Sequence, residues 1–252
     1  MGRILADLAA TLAADPRHGA VVCDIDGTLA PIAPTPEQAT VLPAALPELE
    51  RLVDRYTLVA CVTGRPAVQA RRMVPIAGVA ISGNHGLEVM HGNDVTVVPQ
   101  AARYLDAVRE ALLVVENDGL LPELGCRIED KGVTFTVHYR GSPRPDHALR
   151  YLEAQIVPKL DRAGLAWSFG RMVLEVRPPV AIDKGSAVRR LRGRKRITNL
   201  MYVGDDRTDL DAFREATIKI AVRSAEGPPE LIEQADACVD GPEQVVALLA
   251  SL

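Results

Sequence analysis

The sequence predicts an α/β fold, a doubly wound parallel-sheet core over residues 1–100 and 179–252, interrupted by a small α+β insert over residues 101–178. Three observations carry this. Short apolar runs ending in polar residues and Gly recur near both ends of the chain, as buried parallel strands do. Helical apolar spacing lies between them. The strands of the middle third alternate instead, as antiparallel strands with one solvated face do. At 252 residues the chain has room for more than one unit of about 150 residues.

The elements follow in order. Residues 1–19, MGRILADLAATLAADPRHG, place Asp7 inside an apolar stretch and lack a long apolar run, which reads as an amphipathic helix rather than a signal peptide. Residues 20–25 and 58–63 are buried strands; between them Leu42, Leu46, Leu49 and Val53 fall at helical spacing over 42–55, which completes a βαβ unit. Pro99 and the Pro178-Pro179 pair mark the crossings into and out of the insert. Inside it, helices are expected over about 101–116 and 146–161, with strands near 126–129, 133–139, 167–169 and 172–176. Beyond it, 199–204 is a third core strand, a helix runs through Asp211 to Ala216, and 218–222 is a further strand.

Composition excludes several function classes. Apolar residues at 48% and charged residues at 25% describe a folded, water-soluble protein. A net charge of −4 argues against nucleic acid and anionic membranes as partners, and no run of about 18 uncharged apolar residues offers a membrane span. Cys23, Cys61, Cys126 and Cys238 form no CxxC pair and read as reduced, mostly buried thiols, which points to the cytoplasm.

Chemistry concentrates at strand ends, where open parallel sheets bind ligands. In Asp24-Ile25-Asp26-Gly27-Thr28-Leu29, carboxylates at i and i+2 leave the strand on one side, and Gly27 permits the turn that aims both at one point. One can attack while the other moves a proton; the pair also fits two capping aspartates. Gly204-Asp205-Asp206-Arg207-Thr208-Asp209 follows a second strand, either as a solvated acidic loop or as carboxylates that join Asp24 around a hard divalent cation. Mg²⁺ suits such a site, because it keeps several waters and takes one or two carboxylates plus a phosphate oxygen. Thr63-Gly64-Arg65 offers a hydroxyl and backbone N–H groups to a phosphoryl oxygen, and Lys184, just ahead of a helix, supplies a fixed charge or is merely solvated.

In the insert, Glu129 and Lys131 share a strand face and Glu175 comes from a second strand, so the three can converge on a polyhydroxylated ligand. Read alone, they fit cross-strand ion pairs on a solvated face better. His85, in a Gly-rich turn, either contacts substrate or braces its loop. The six basic residues between Arg189 and Arg196 lack interleaved aromatics and read as a solvated helix end, while Phe135, Trp167 and Phe169 read as insert core.

The order of these motifs, paired Asp, strand-end hydroxyl, Lys and acidic cluster, resembles the haloacid-dehalogenase superfamily of phosphatases. That resemblance implies a Rossmann-like core, an aspartyl-phosphate intermediate, a Mg²⁺ requirement, and an insert that acts as a substrate-selecting cap. Further strings narrow it to the trehalose-6-phosphate phosphatase family: Thr63-Gly64-Arg65-Pro66, Gly83-Asn84-His85-Gly86-Leu87-Glu88, Glu129-Asp130-Lys131-Gly132 with His138-Tyr139-Arg140, and Glu175-Val176-Arg177-Pro178. The family implies hydrolysis of trehalose 6-phosphate, with Asp24 as nucleophile, Asp26 as acid and base, and Thr63 and Lys184 on the phosphoryl oxygens. It implies Mg²⁺ held by Asp24, the Asp26 carbonyl and Asp205, with Asp206 and Asp209 orienting its waters or Lys184. Arg65, Asn84, His85, Glu129, Lys131 and Glu175 would bind the substrate, a small-molecule sugar phosphate, and a functional coupling to a trehalose-6-phosphate synthase follows. The chain departs from the family pattern at Ile25, where an aromatic residue is common, at Thr63, where Ser is, and at Leu210, where Glu is. The alternatives are another sugar-phosphate phosphatase of the superfamily, a phosphotransferase, and a non-catalytic sugar-phosphate-sensing module.

Overall fold

The computed structural model describes residues 2–33, 35–170, 172–224 and 227–252. In chain order its strands are β1 (Gly19–Cys23), β2 (Leu58–Val62), β3 (Ala80–Gly83), β4 (Glu88–His91), β5 (Asp94–Val97), β6 (Arg127–Asp130), β7 (Phe135–His138), β8 (Ala166–Gly170), β9 (Val173–Arg177), β10 (Asn199–Gly204), β11 (Ile218–Arg223) and β12 (Ala237–Asp240). The chain divides into two units, Met1–Thr96 with Ile182–Leu252, and Val97–Ala181.

The first unit is built on a sheet of order β12-β11-β10-β1-β2-β3-β4-β5. β1 is central and pairs in parallel with β10 on one side and β2 on the other, and β11, β12 and β3 extend the parallel set outward. Every residue of β1 and β2 is buried, which is why their sequences are continuous apolar runs rather than alternating ones. Successive β1 residues feed opposite layers. Val21 and Cys23 pack with Leu12, Leu49, Leu52 and Leu248, whereas Ala20 and Val22 pack with Val188, Ala212, Phe213 and Leu231. The helices Arg3–Ala14, Ala45–Arg55 and Gly241–Ala250 therefore cover one face, and Lys184–Arg192, Asp209–Phe213 and Pro229–Gln234 the other. Each fully buried Leu or Phe in these layers contributes about 1.5–3 kcal/mol. Beyond β3 the sheet reverses, since β4 pairs antiparallel to it. β3, β4, β5 and β12 were not expected from sequence: each has four residues, and Ser and Gly in β3, Glu and His in β4, and Asp in β5 and β12 dilute their apolar signal.

The second unit carries a sheet of order β6-β7-β9-β8, antiparallel throughout. One face, with Phe135, Val137, Leu174 and Val176, packs against Val108, Leu112, Leu152, Ile156 and Leu160. The helix expected over 101–116 occurs as Pro99–Ala102 and Leu105–Glu116. The one expected over 146–161 is broken by a π-helical turn, Leu152–Ile156, between Pro145–Tyr151 and Val157–Arg162. Pro158 explains the break: it has no amide to donate to residue 154, and its ring crowds that carbonyl. Phe135 is fully buried as expected, but Trp167 lies at the rim, 36% exposed, edge-on to Phe169 and bonded through its indole N–H to Asp161 at 2.8 Å. Among the described residues, no helix is long and apolar enough to cross a membrane.

Candidate active site

The strand ends of the first unit hold the site. Beyond β1, the Asp24 amide donates to the Val203 carbonyl of β10 at 2.9 Å, so the backbone pairing continues one residue past the strand and fixes where Asp24 begins. Asp24 is 5% exposed. Gly27 then turns the chain with φ +75°, and a Cβ there would land on the Asp205 carboxylate, so both the turn and the close approach require glycine.

Lys184 and Asp209 organise the acidic cluster. Asp183 caps the helix Lys184–Arg192, accepting from the Ser186 amide at 2.7 Å while the Ser186 hydroxyl faces the Asp183 amide at 3.0 Å, a reciprocal cap that fixes the first turn. The Lys184 ammonium, buried there, donates to Asp24 Oδ2 and Asp209 Oδ1, each at 2.7 Å. Asp209 Oδ1 also accepts from the Tyr202 hydroxyl at 2.7 Å, and Oδ2 from the amides of Asp205 and Asp206 at 2.9 Å. With both oxygens so engaged, Asp209 holds Lys184 and shapes the loop. Asp206 is half-buried on that loop. Leu210, in the family's acidic position, packs with the apolar layer that includes Phe213.

Three carboxylates, Asp24, Asp205 and Asp209, bring oxygens within 4.8 Å of one another around one ammonium. Burial pushes the Asp24 carboxyl up to about 7, against the pull of Lys184 and with a further push from Asp209 and Asp26. Burial likewise pushes Asp205 up to about 8, with Asp24 and Asp209 adding to it. Burial opposes the charge on Lys184, and Asp209 and Asp24 outweigh it, keeping the ammonium well above the usual lysine range. Fully ionised, the cluster keeps two excess negative charges, which a divalent cation balances. Asp205 Oδ1 is buried and has no hydrogen-bond donor in this structure. An all-oxygen donor set of that charge fits Mg²⁺, with Asp24 and Asp205 as the carboxylates available to hold it.

The turn after β2 lies beside this cluster in the same unit. Thr63 is buried, its amide donates to the Ser82 carbonyl at 3.0 Å, and its hydroxyl accepts from the Arg65 amide at 3.2 Å. Arg65 reaches Asp26: Nε donates to Oδ2 at 2.6 Å and Nη2 to Oδ1 at 2.7 Å, while Nη1 donates to the Pro36 carbonyl at 2.9 Å. Asn84 is fully buried at φ +47°, its amide donates to the Arg65 carbonyl at 2.8 Å, and its side chain bonds Glu88, so it braces the loop. His85, at φ +54°, donates its amide to the Thr63 carbonyl at 2.9 Å. Its ring lies against Gly64, where a Cβ would stand 2.6 Å from the imidazole.

The second unit presents its own polar row. Glu129, Thr136, Glu175 and Ser168 are register partners across β6, β7, β9 and β8, on one face of the sheet. Glu129 accepts from or pairs with the His138 ring at 2.8 Å and stands 4.0 Å from Lys131. Burial raises the Glu129 carboxyl, and His138 and Lys131 more than reverse this, holding it below the usual range. Sequence reasoning missed Thr136, Ser168, Tyr202 and the Arg65–Asp26 link. The Arg65–Asp26 link joins segments 39 residues apart, and a hydroxyl within a strand, as at Thr136, Ser168 and Tyr202, gives no signal by itself.

A doubly wound sheet with paired aspartates, a buried lysine and an acidic loop at its strand ends defines a haloacid-dehalogenase-like fold. A solved haloacid dehalogenase-like hydrolase from Bacteroides thetaiotaomicron has the same architecture, with TM-score 0.65 and 14% identity over 93% of this chain and 98% of that one. The model of the trehalose-phosphatase family matches residues 22–230, and the chain belongs to that family. It is 33% identical over 252 residues to a probable trehalose-phosphate phosphatase of Sinorhizobium fredii, covering 98% of this chain and 92% of that protein. It is also 33% identical over 226 residues to an uncharacterized glycosyl hydrolase of Mycobacterium tuberculosis, matching 83% of this chain and only 16% of that much longer protein.

Proposed function

We propose that this chain is a Mg²⁺-dependent phosphatase that hydrolyses trehalose 6-phosphate to trehalose and inorganic phosphate. The observation that carries the reading is the buried Asp24, held by Lys184 beside Asp205, on a chain of the trehalose-phosphatase family. Asp24 forms a bond to phosphorus as the sugar oxygen leaves, and Asp26 gives that oxygen its proton. Water then attacks the aspartyl phosphate, Asp26 takes the water's proton, and the Asp24 carboxylate departs from phosphorus. Lys184 and the Thr63 turn hold phosphoryl oxygens through both halves. Asp24, Asp205 and the Asp26 carbonyl would hold Mg²⁺, which would supply charge neutralisation at the phosphoryl group. Glu129, Lys131 and Glu175 are assigned to the hydroxyls of the sugar, on the polar face of the second sheet.

A synthase that makes the sugar phosphate would supply the substrate, and four unbridged cysteines suit a cytoplasmic location. The test is phosphate release from trehalose 6-phosphate, sucrose 6-phosphate and glucose 6-phosphate, with Mg²⁺ and with excess EDTA. A Mg²⁺-dependent preference for trehalose 6-phosphate, abolished in a folded Asp24→Asn variant, is the expected result. A preference for another sugar phosphate would discard the substrate, and silence across the panel would favour a sensing module.

A further inference from the structure

We infer that Arg65 is the positioning residue for the acid–base carboxylate of Asp26 rather than a ligand of the substrate; the inference rests on the phosphatase reading above. The guanidinium grips both Asp26 oxygens, at 2.6 and 2.7 Å, through the Nε and Nη2 edge. Its remaining arm holds the Pro36 carbonyl at 2.9 Å, and its backbone is tied to the Thr63 hydroxyl and to the Asn84 amide. The Arg65 side chain is 11% exposed, against 33% for Asp26. The arginine is therefore the buried partner, and the carboxylate the one that reaches outward. One residue thus locks together the turn after β1, the 3₁₀ turn Pro36–Gln38 and the turn after β2. A planar fork fixes the plane of the carboxylate as well as its place, which a lysine cannot do.

The carboxylate needs such a brace. It stands two residues beyond the nucleophile on a turn that contains a left-handed glycine, and it serves twice: toward the departing sugar oxygen, then toward the attacking water. A misplacement of about 1 Å costs roughly 10²-fold in rate. A sugar alkoxide leaves only with a proton, whereas a nitrophenolate leaves without one. The positioning role therefore predicts a fall in kcat on the sugar phosphate together with a nitrophenolate burst and slow turnover on the aryl phosphate, whereas a sugar contact predicts a raised KM and no burst, and a general structural role predicts equal losses.

The experiment compares full-length Arg65→Gln and Arg65→Lys with the wild type, with Mg²⁺ present, on trehalose 6-phosphate and on p-nitrophenyl phosphate. For Arg65→Gln, kcat on the sugar phosphate should fall by about 10²-fold with KM little changed. Rapid mixing with p-nitrophenyl phosphate should show a burst of about one nitrophenolate per chain, then slow turnover, because Asp24 still attacks while water activation is lost. Arg65→Lys should show the same pattern, less severely, and is the variant read if Arg65→Gln does not give a wild-type circular dichroism spectrum. A wild-type kcat, a raised KM with kcat intact, or equal losses on both substrates without a burst would each overturn the inference. Wild-type protein that hydrolyses neither substrate, or an active Asp24→Asn variant, would instead overturn the phosphatase reading itself.

Discussion

Lys184 shows how much of the site one residue supports. Its ammonium is shared by Asp24 and Asp209 at 2.7 Å, inside a cluster with little access to solvent. Removing it leaves buried carboxylates facing one another, and breaking a buried ion pair by deleting one partner costs about 3–5 kcal/mol. Lys184→Met should lose that much stability in urea titrations run in EDTA and should regain part of it with Mg²⁺, since the cation replaces the missing charge. A melt unchanged in both conditions would mean the carboxylates relax into solvent. At this scale sequence reading named Asp24, Asp26, Thr63, Asp205, Asp206 and Asp209 from their places at strand ends and Lys184 from its place just ahead of a helix. What each side chain holds was not legible. Arg65 was assigned to substrate and is found on Asp26; Asn84 was assigned there too and is wholly buried beside Glu88.

Among the elements, the sheet of the second unit presents a polar row on one face and an apolar layer on the other. Its period-two alternation sends Phe135, Val137, Leu174 and Val176 into an apolar layer and leaves Glu129, Thr136, Glu175 and Ser168 in a row on the other face. Lys131→Ala and Glu175→Ala should therefore cripple hydrolysis of trehalose 6-phosphate and spare that of p-nitrophenyl phosphate, measured as kcat/KM on each. Equal losses on the two substrates would remove these residues from sugar selection. The alternation was legible in the sequence because one face meets an apolar core. The row was not, because it depends on which residues of β6, β7, β9 and β8 are register partners. The interrupted helix before Val157 was missed for a different reason: Pro158 acts on the carbonyl four residues earlier, and apolar periodicity carries on across it.

For the whole molecule, the acidic cluster couples folding to pH and, on the phosphatase reading, to Mg²⁺. Asp24 and Asp205 are pushed up to about 7 and about 8, above an unfolded aspartate near 3.9, so between these values the native state binds the extra protons. Stability of the metal-free protein must then fall as pH rises from about 4 to about 8 and level off above it. On the phosphatase reading Mg²⁺ would bind the ionised carboxylates, so its stabilising effect should grow over the same window. Thermal melts at pH 5 and pH 8, each with EDTA and with Mg²⁺, check both trends, and an equal Mg²⁺ shift at the two pH values would contradict the linkage.

By itself the sequence determined the fold class and the chemistry at the strand ends. Buried parallel strands must be apolar along their length, polar residues can resume only where they end, and Asp, Thr, Lys and Asp in that order are local facts of the chain. Only the tertiary structure decided the pairings. The fork of Arg65 on Asp26, the Tyr202 hydroxyl on Asp209 and the hold of Lys184 on a carboxylate 160 residues away are set by strand order β10-β1-β2 and by helix placement. The first and third join residues remote in sequence, whose meeting depends on how the whole sheet is assembled, and the second depends on how the loop after β10 turns back over the end of its own strand.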